Sequence, residues 1–176
     1  MLVARAQGTV LDVGCGPGRL LAALAAHGLH PLGVDIAPEA VSLARRAGGA
    51  AVLASVFGAL PAEGDWDTVL LADGNIGIGG DPAHLLRRCA QLMTRTGQIL
   101  VEVGRPGSES RRERVHLHDA VLGCGAWFPW ATLAADRLPE AAADAGLQVI
   151  DTWSAAETTT THRRKDTRWF AALARR

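Results

Sequence analysis

Three glycines at alternate positions, Gly14, Gly16 and Gly18, follow an apolar segment near the start of the chain. Glycine allows a tight backbone turn and leaves room for a ligand that any Cβ atom would displace. Residues 20–26 are a run of leucine and alanine, which favours a helix. A strand, a glycine-rich turn and a helix in this order are typical of a nucleotide-binding cradle at a helix N-terminus.

A second apolar segment ends in an acidic residue. Residues 30–35 end in Asp35, at nearly the spacing from Gly18 at which an acid closing the second strand binds ribose hydroxyls. One carboxylate at this place can accept hydrogen bonds from the 2′ and 3′ hydroxyls together. A plain helix-capping or loop acid is the alternative interpretation of Asp35.

Residues 11–18 (Leu-Asp-Val-Gly-Cys-Gly-Pro-Gly) and 33–36 (Gly-Val-Asp-Ile) resemble the first two motifs of the class I S-adenosylmethionine-dependent methyltransferases. Residues 67–73 are similar to the fourth strand of that family, and residues 92–103 are similar to the fifth. The motifs follow the family's order over about residues 9–104, and it is this combination that makes the resemblance specific.

The resemblance implies an α/β fold, a doubly wound Rossmann-like three-layer sandwich with a mostly parallel seven-stranded sheet and an antiparallel last strand. The apolar patterns predict strands at 9–13, 31–35, 50–54, 67–72, 97–103, 147–153 and 168–173. They predict helices at 18–27, 38–47, 82–94 and 136–145, and a hairpin connection at 158–161.

The implied cofactor is S-adenosyl-L-methionine, which leaves as S-adenosyl-L-homocysteine. By resemblance, Asp12 reaches the methionine end of the cofactor; a purely structural Asp12 is the alternative. Ser55 stands where many relatives carry an acid against the adenine amino group, so either its hydroxyl replaces that contact or the segment simply packs. The expected cofactor-binding residues are Asp12, Gly14, Cys15, Gly16, Gly18, Asp35, Ile36, Ser55, Val56, Phe57, Asp73 and Gly74.

The glycine-rich loop at residues 73–81 follows the predicted fourth strand and is expected beside the transferred methyl group. Asp73 and Asn75 are the candidate catalytic residues. Asn75 would orient the substrate, and Asp73 would hold the cofactor ammonium or act as a base; a flexible connector is the alternative. The loop lacks the Asn/Asp-Pro-Pro-Tyr/Phe pattern of relatives that methylate amide or exocyclic nitrogens, which disfavours adenine-N6, cytosine-N4 and glutamine as acceptors.

Residues 105–130 begin after the predicted fifth strand and are interpreted as an insertion on the substrate side. Their aromatic residues either wall an apolar acceptor or anchor the insertion to the core. The family usually carries helices before its first motif, and none is predicted here. The insertion is therefore expected to be the main cover of the cleft within the chain, and cover by a second subunit is compatible but not required. The candidate substrate-contacting residues are Asn75, Ile76, His116, Trp127 and Trp130.

Composition predicts a single domain over residues 1–176 in the cytoplasm. The 18 basic residues balance 18 acidic ones, so binding of nucleic acid by bulk charge is not expected. No apolar run reaches the roughly 20 residues that cross a bilayer, no secretion signal is visible, and the three isolated cysteines suit a reducing compartment. His116 and His118 lack a carboxylate or cysteine at ligand spacing, so no metal is expected.

The implied chemistry is a direct in-line displacement, in which the protein aligns an acceptor atom with the C–S bond and excludes water. The sequence therefore predicts a methyltransferase that acts on a small molecule as a monomer or homodimer. A methyltransferase-like scaffold or subunit without catalysis is the main alternative. A nicotinamide oxidoreductase is disfavoured, because the glycines follow Gly-x-Gly-x-Gly and not Gly-x-Gly-x-x-Gly.

Overall fold

A computed structural model of the chain describes residues 2–119, 123–156 and 167–176. The strands are β1 Thr9–Val13, β2 His30–Asp35, β3 Ala51–Leu53, β4 Trp66–Leu71, β5 Met93–Val103, β6 Arg111–Val115, β7 His118–Asp119, β8 Gly123–Cys124, β9 Phe128–Thr132, β10 Leu147–Ala156 and β11 Thr167–Arg175. The helices are α1 Arg19–Ala26, α2 Pro38–Arg46, α3 Pro82–Leu92 and α4 Leu138–Asp144, with 3-10 helices at Val3–Arg5, Asn75–Gly80 and Ala135–Arg137.

Seven strands form one sheet in the order β10-β11-β5-β4-β1-β2-β3. The pairs among β1 to β5 are parallel, whereas β11 lies between β5 and β10 and is antiparallel to both. The sequence-based prediction of a mostly parallel seven-stranded sheet with an antiparallel last strand is therefore confirmed. Because β1, β2 and β4 run in the same direction, their carboxyl ends meet at one edge of the sheet.

Side chains from β1 alternate between two apolar layers, as a central strand requires. Leu11 and Val13 pack in a core cluster that includes residues of α3 and α4, whereas Val10 packs in a second cluster with Leu24 of α1. The helices thus cover both faces of the sheet and hold the ends of β1 rigidly in place. No helix in the described residues is long and apolar enough to cross a membrane.

The structure corrects the predicted boundary between the third helix and the fifth strand. The helix ends at Leu92 and not at residue 94, and β5 begins at Met93, four residues before the predicted start at 97. Met93 is buried and pairs with Trp66 before the register shifts, so packing against β4 extends the strand. The threonines that follow Met93 are β-branched and favour an extended backbone.

Two small antiparallel sheets within the proposed insertion were not predicted. One pairs β6 with β9, and the other pairs β7 with β8. In the first pair, β6 carries charged residues and β9 carries aromatic ones, without a clear alternation of burial, which is why the pattern along this segment did not indicate them. The hairpin connection predicted at 158–161 lies outside the described residues.

Candidate functional site

The turns that follow β1 and β4 enclose a cleft of about 280 Å³ at the carboxyl edge of the sheet. Ligand sites of open α/β sheets lie at this edge. The cleft is lined by Asp12, Gly14, Cys15, Gly16, Pro17, Arg19, Leu20, Ala72, Asp73 and Asn75. The structure thus gathers many of the residues that the sequence assigns to the cofactor, and adds Arg19, which the sequence analysis did not identify.

The glycine turn is tied to the neighbouring strands by its backbone. The N–H groups of Gly14 and Cys15 both donate to the carbonyl oxygen of Val34, at 2.8 and 3.2 Å. Gly14 has a φ of 73°, and a Cβ there would lie 2.6 Å from Nδ2 of Asn75. Its absence lets that amide donate to the carbonyl oxygens of Val13 and Gly14, at 2.8 and 3.0 Å. Asn75 therefore fixes the loop after β4 against the glycine turn.

Asp35 lies at the end of β2, and two backbone groups fix the plane of its carboxylate. Gly16 N–H donates to Oδ2 and Ala37 N–H donates to Oδ1, each at 2.9 Å. A carboxylate has about four lone-pair sites, so both oxygens retain capacity for further donors. The next residue, Ile36, is 74% exposed and presents an apolar surface beside this carboxylate.

Asp12 is the most unusual residue in the cleft. It is only 1% exposed, and its Oδ2 makes no hydrogen bond to any other described residue. Burial, reinforced by the charges of Asp73 and Asp35, raises its pKa to about 7, although Arg19 acts in the opposite direction. A buried carboxylate oxygen without a partner is costly. Asp12 lines the cleft, so this cost falls at the candidate ligand site.

Asp73, at the carboxyl end of β4, is held by two arginines. Arg19 contacts its Oδ2 and Arg168 contacts its Oδ1, each at 2.5 Å, and its own N–H donates to Glu102 at 2.7 Å. Arg168 also forms an ion pair with Glu102. Partial burial raises the pKa of Asp73, but the hydrogen bonds from both arginines outweigh this effect and lower the pKa overall. A carboxylate so paired is a poor proton acceptor.

Arg168 was missed because its position depends on the direction of the last strand. β11 runs antiparallel to β5, so the start of β11 lies at the same edge as the end of β5, and Trp169 pairs with Val103. The signal in the sequence was the predicted antiparallel last strand, which places a charged residue at its start beside the cleft. Arg19 had a simpler signal, since it directly follows the glycine turn.

Of the predicted substrate residues, only Asn75 lines the cleft, and the others lie in different surroundings. Trp130 packs against Gly77 in the loop after β4. The contact is so close that a Cβ at Gly77 would lie 2.6 Å from Nε1 of Trp130 and would overlap the carbonyl oxygen of Ala131. Trp127 is exposed and lies on His116, with ring centroids 4.3 Å apart. Ile76, by contrast, is buried in the core. Apart from Asn75, none of these side chains is among the described residues that line the cleft.

The segment after β3 packs partly in the core, whereas the resemblance implies that it contacts the adenine of the cofactor. Val56 is buried in the core, and its carbonyl oxygen accepts a hydrogen bond from Arg88 at 2.9 Å. The hydroxyl of Ser55 accepts the N–H of Phe57 at 3.2 Å. Phe57 is partly exposed and stacks on His84, with centroids 4.9 Å apart. The packing interpretation therefore fits the Val56 side chain, while Phe57 still offers an aromatic surface.

The thiol of Cys15 does not have the properties of a nucleophile. Burial, together with the charges of Asp12 and Asp35, raises its pKa to about 12, so the thiol stays protonated at neutral pH. Cys15 packs instead with Leu21 and Val41 beneath the glycine turn. In the described parts of the chain, no three histidine, cysteine or acidic side chains are grouped in a way that would hold a metal ion.

A family model described as a methyltransferase domain matches residues 10–97, which is half of the chain. The ubiquinone biosynthesis O-methyltransferase of Xylella fastidiosa (strain 9a5c) is 56% identical over 36 residues, which cover 20% of this chain and 15% of that protein. The chain thus matches far less than two thirds of this curated relative.

Two solved structures are similar over almost the whole chain. One is an S-adenosylmethionine-dependent methyltransferase from Bacteroides fragilis in complex with S-adenosyl-L-homocysteine; it is 25% identical, with 99% of this chain and 76% of that one covered and a TM-score of 0.74. The other is the 1,6-didemethyltoxoflavin-N1-methyltransferase of Burkholderia thailandensis, which is 19% identical, with 98% and 72% covered and a TM-score of 0.68.

The family match and the geometry agree with each other. The matched residues contain the glycine turn, Asp35 and the loop after β4, and the strand order continues the same fold to the end of the described residues. The chain belongs to the class I S-adenosylmethionine-dependent methyltransferase family.

Proposed function

We propose that this chain binds S-adenosyl-L-methionine in the cleft and transfers its methyl group to a small-molecule acceptor by in-line displacement. The observation that carries the proposal is the buried, unpartnered Oδ2 of Asp12. The cofactor has an ammonium group at its methionine end, and an ammonium is the kind of partner that this oxygen lacks. No described protein group fills that role.

The residues at the other side of the glycine turn fit the adenosine part of the same molecule. Asp35 is fixed by two backbone donors and retains lone pairs for two ribose hydroxyls. Ile36 and Phe57 are exposed apolar side chains that follow β2 and β3, where an adenine ring would cover them. We therefore assign Asp12 to the methionine end and Asp35, Ile36 and Phe57 to the adenosine.

The bound sulfonium would supply an activated methyl group, so the protein needs to orient an acceptor and exclude water. Asp73 is paired with two arginines and its pKa is lowered, which argues against its use as a general base. Asn75 holds two backbone carbonyls and fixes the loop. We assign both residues a positioning role, and the reaction we propose has no dedicated base among the residues that line the cleft.

The acceptor side is assigned to the insertion. β9 lies along the loop after β4 and brings Trp130 against Gly77, so this part of the insertion adjoins the region expected next to the methyl group. The fold neighbour from Burkholderia thailandensis is described with 1,6-didemethyltoxoflavin and S-adenosyl-L-homocysteine bound. Together these observations favour a small acceptor, handled by one domain that comprises residues 1–176.

Calorimetric titration tests the proposal. We expect S-adenosyl-L-homocysteine to bind with a stoichiometry of one, and NAD to give no saturable heat, because the glycine spacing and the cleft suit the former ligand. Transfer of a labelled methyl group in a screen of small acceptors then separates an enzyme from a scaffold. Binding of NAD in place of S-adenosyl-L-homocysteine would contradict the cofactor assignment, and binding without any transfer across the screen would favour the scaffold.

A further inference from the structure

The cleft contains one positive charge that the sequence motifs did not assign. Of the described residues that line the cleft, only Arg19 has a cationic side chain. It is the first residue of α1, directly after the glycine turn, and its side chain is 60% exposed. Its guanidinium contacts Oδ2 of Asp73. The cleft therefore holds the unpartnered Asp12 carboxylate and an accessible guanidinium within one cavity.

This pairing of charges matches a zwitterion. The methionine end of the proposed cofactor has an ammonium and a carboxylate on the same carbon atom. Asp12 offers a buried carboxylate oxygen to the first, and Arg19 offers guanidinium N–H donors to the second. We propose, on the basis of the function proposed above, that Arg19 binds the carboxylate of the cofactor's aminocarboxylate group.

The contact that Arg19 makes in this structure is of the kind that exchanges easily. Exposed ion pairs contribute little to stability, and both partners here are more than half exposed. Asp73 also has a second cation, because Arg168 contacts its other carboxylate oxygen at 2.5 Å. Arg19 can therefore leave Asp73 for a ligand carboxylate without leaving a carboxylate unpaired.

Neither Arg168 nor Arg5 fits this role. Arg168 is only 28% exposed, and its guanidinium is engaged by both oxygens of Glu102 as well as by Asp73. Arg5 pairs with Asp151 and lies over the ring of Trp153, in contacts remote from the glycine turn. Arg168 is thus a fixed structural partner, and Arg19 is the exchangeable one.

The test compares two ligands that differ in the aminocarboxylate chain, which carries both the carboxylate proposed to bind Arg19 and the ammonium proposed to bind Asp12. S-adenosyl-L-homocysteine carries the aminocarboxylate, whereas 5′-methylthioadenosine keeps the adenosine and the thioether without it. We expect Arg19→Met to weaken S-adenosyl-L-homocysteine about tenfold and to change the affinity for 5′-methylthioadenosine by less than about twofold. Arg19→Lys should recover part of the lost affinity, since it keeps the charge but not the bidentate geometry.

Arg137→Met is the matched control, because Arg137 is 61% exposed and pairs with Glu140 away from the cleft. It should leave both affinities unchanged. Equal loss of both ligands in Arg19→Met, or no loss of S-adenosyl-L-homocysteine, would overturn the assignment of Arg19 while the proposed function stands. If the folded wild-type chain bound neither ligand, the proposed function would fail, and the assignment of Arg19 with it.

Discussion

Asp12→Asn is expected to stabilise the ligand-free protein at pH 8 and, at the same time, to weaken its binding of S-adenosyl-L-homocysteine. Burial raises the pKa of Asp12 from 3.8 to about 7, so the folded state carries an unfavourable charge above that pH. One pKa unit corresponds to about 1.4 kcal/mol, so the rise from 3.8 to about 7 corresponds to a gain of about 4 kcal/mol. The free energy of unfolding from urea denaturation measures it.

The size of this effect depends on pH. Between about pH 4 and pH 7 the folded protein keeps the proton on Asp12, whereas the unfolded chain has lost it, so the contribution of Asp12 to stability falls as the pH rises. The advantage of Asp12→Asn should therefore be small at pH 4 and full at pH 8. Asp65→Asn, at an exposed site outside the cleft, is the control. A variant destabilised equally at both pH values would show that Asp12 has a protein partner.

Asp35→Ala is expected to weaken binding of S-adenosyl-L-homocysteine by about 2 kcal/mol or more, which is about 30-fold in the dissociation constant. The carboxylate is proposed to accept both ribose hydroxyls, and charged hydrogen bonds of this kind are strong. Unlike Arg19→Met, this variant should lose affinity for 5′-methylthioadenosine as well, because that ligand keeps the ribose. Titration calorimetry with both ligands measures the two losses.

The control for Asp35 must separate contact with the ligand from support of the loop. Asp35 also receives the N–H groups of Gly16 and Ala37, so the variant's circular dichroism and unfolding midpoint are recorded alongside the titrations. Asp65→Ala should bind both ligands as the wild type does. Unchanged affinity in a folded Asp35→Ala variant would remove Asp35 from the ribose site.

The local parts of this site were predictable from the sequence. The glycine turn and Asp35 lie at strand ends that short apolar segments mark clearly, and both belong to turns whose conformation the adjacent residues decide. The mostly parallel sheet followed from the resemblance, and one edge of a parallel sheet collects the carboxyl ends of its strands. The predicted line-up of Asp12, Asp73 and Asn75 at one cleft follows from that topology.

The long-range parts were not predictable in the same way. The double pairing of Asp73 depends on Arg168, which is 95 residues away in the chain and reaches the site only through the register of β11 on β5. The Val56 side chain enters the core because the chain turns immediately after the three-residue strand β3. The alternation of side chains along that strand therefore does not continue to Val56. In the insertion, β6 and β9 show no clear alternation of burial, and the β7–β8 pair has only two residues in each strand.

A crystal structure of the chain with S-adenosyl-L-homocysteine would locate each part of the ligand. We expect the ribose hydroxyls within hydrogen-bond distance of both oxygens of Asp35, the ammonium at Oδ2 of Asp12 and the thioether beside the loop after β4. We expect the ligand carboxylate at the guanidinium of Arg19. A ligand bound elsewhere, or one in this cleft with Oδ2 of Asp12 still without a partner, would show that these residues do not form the cofactor site.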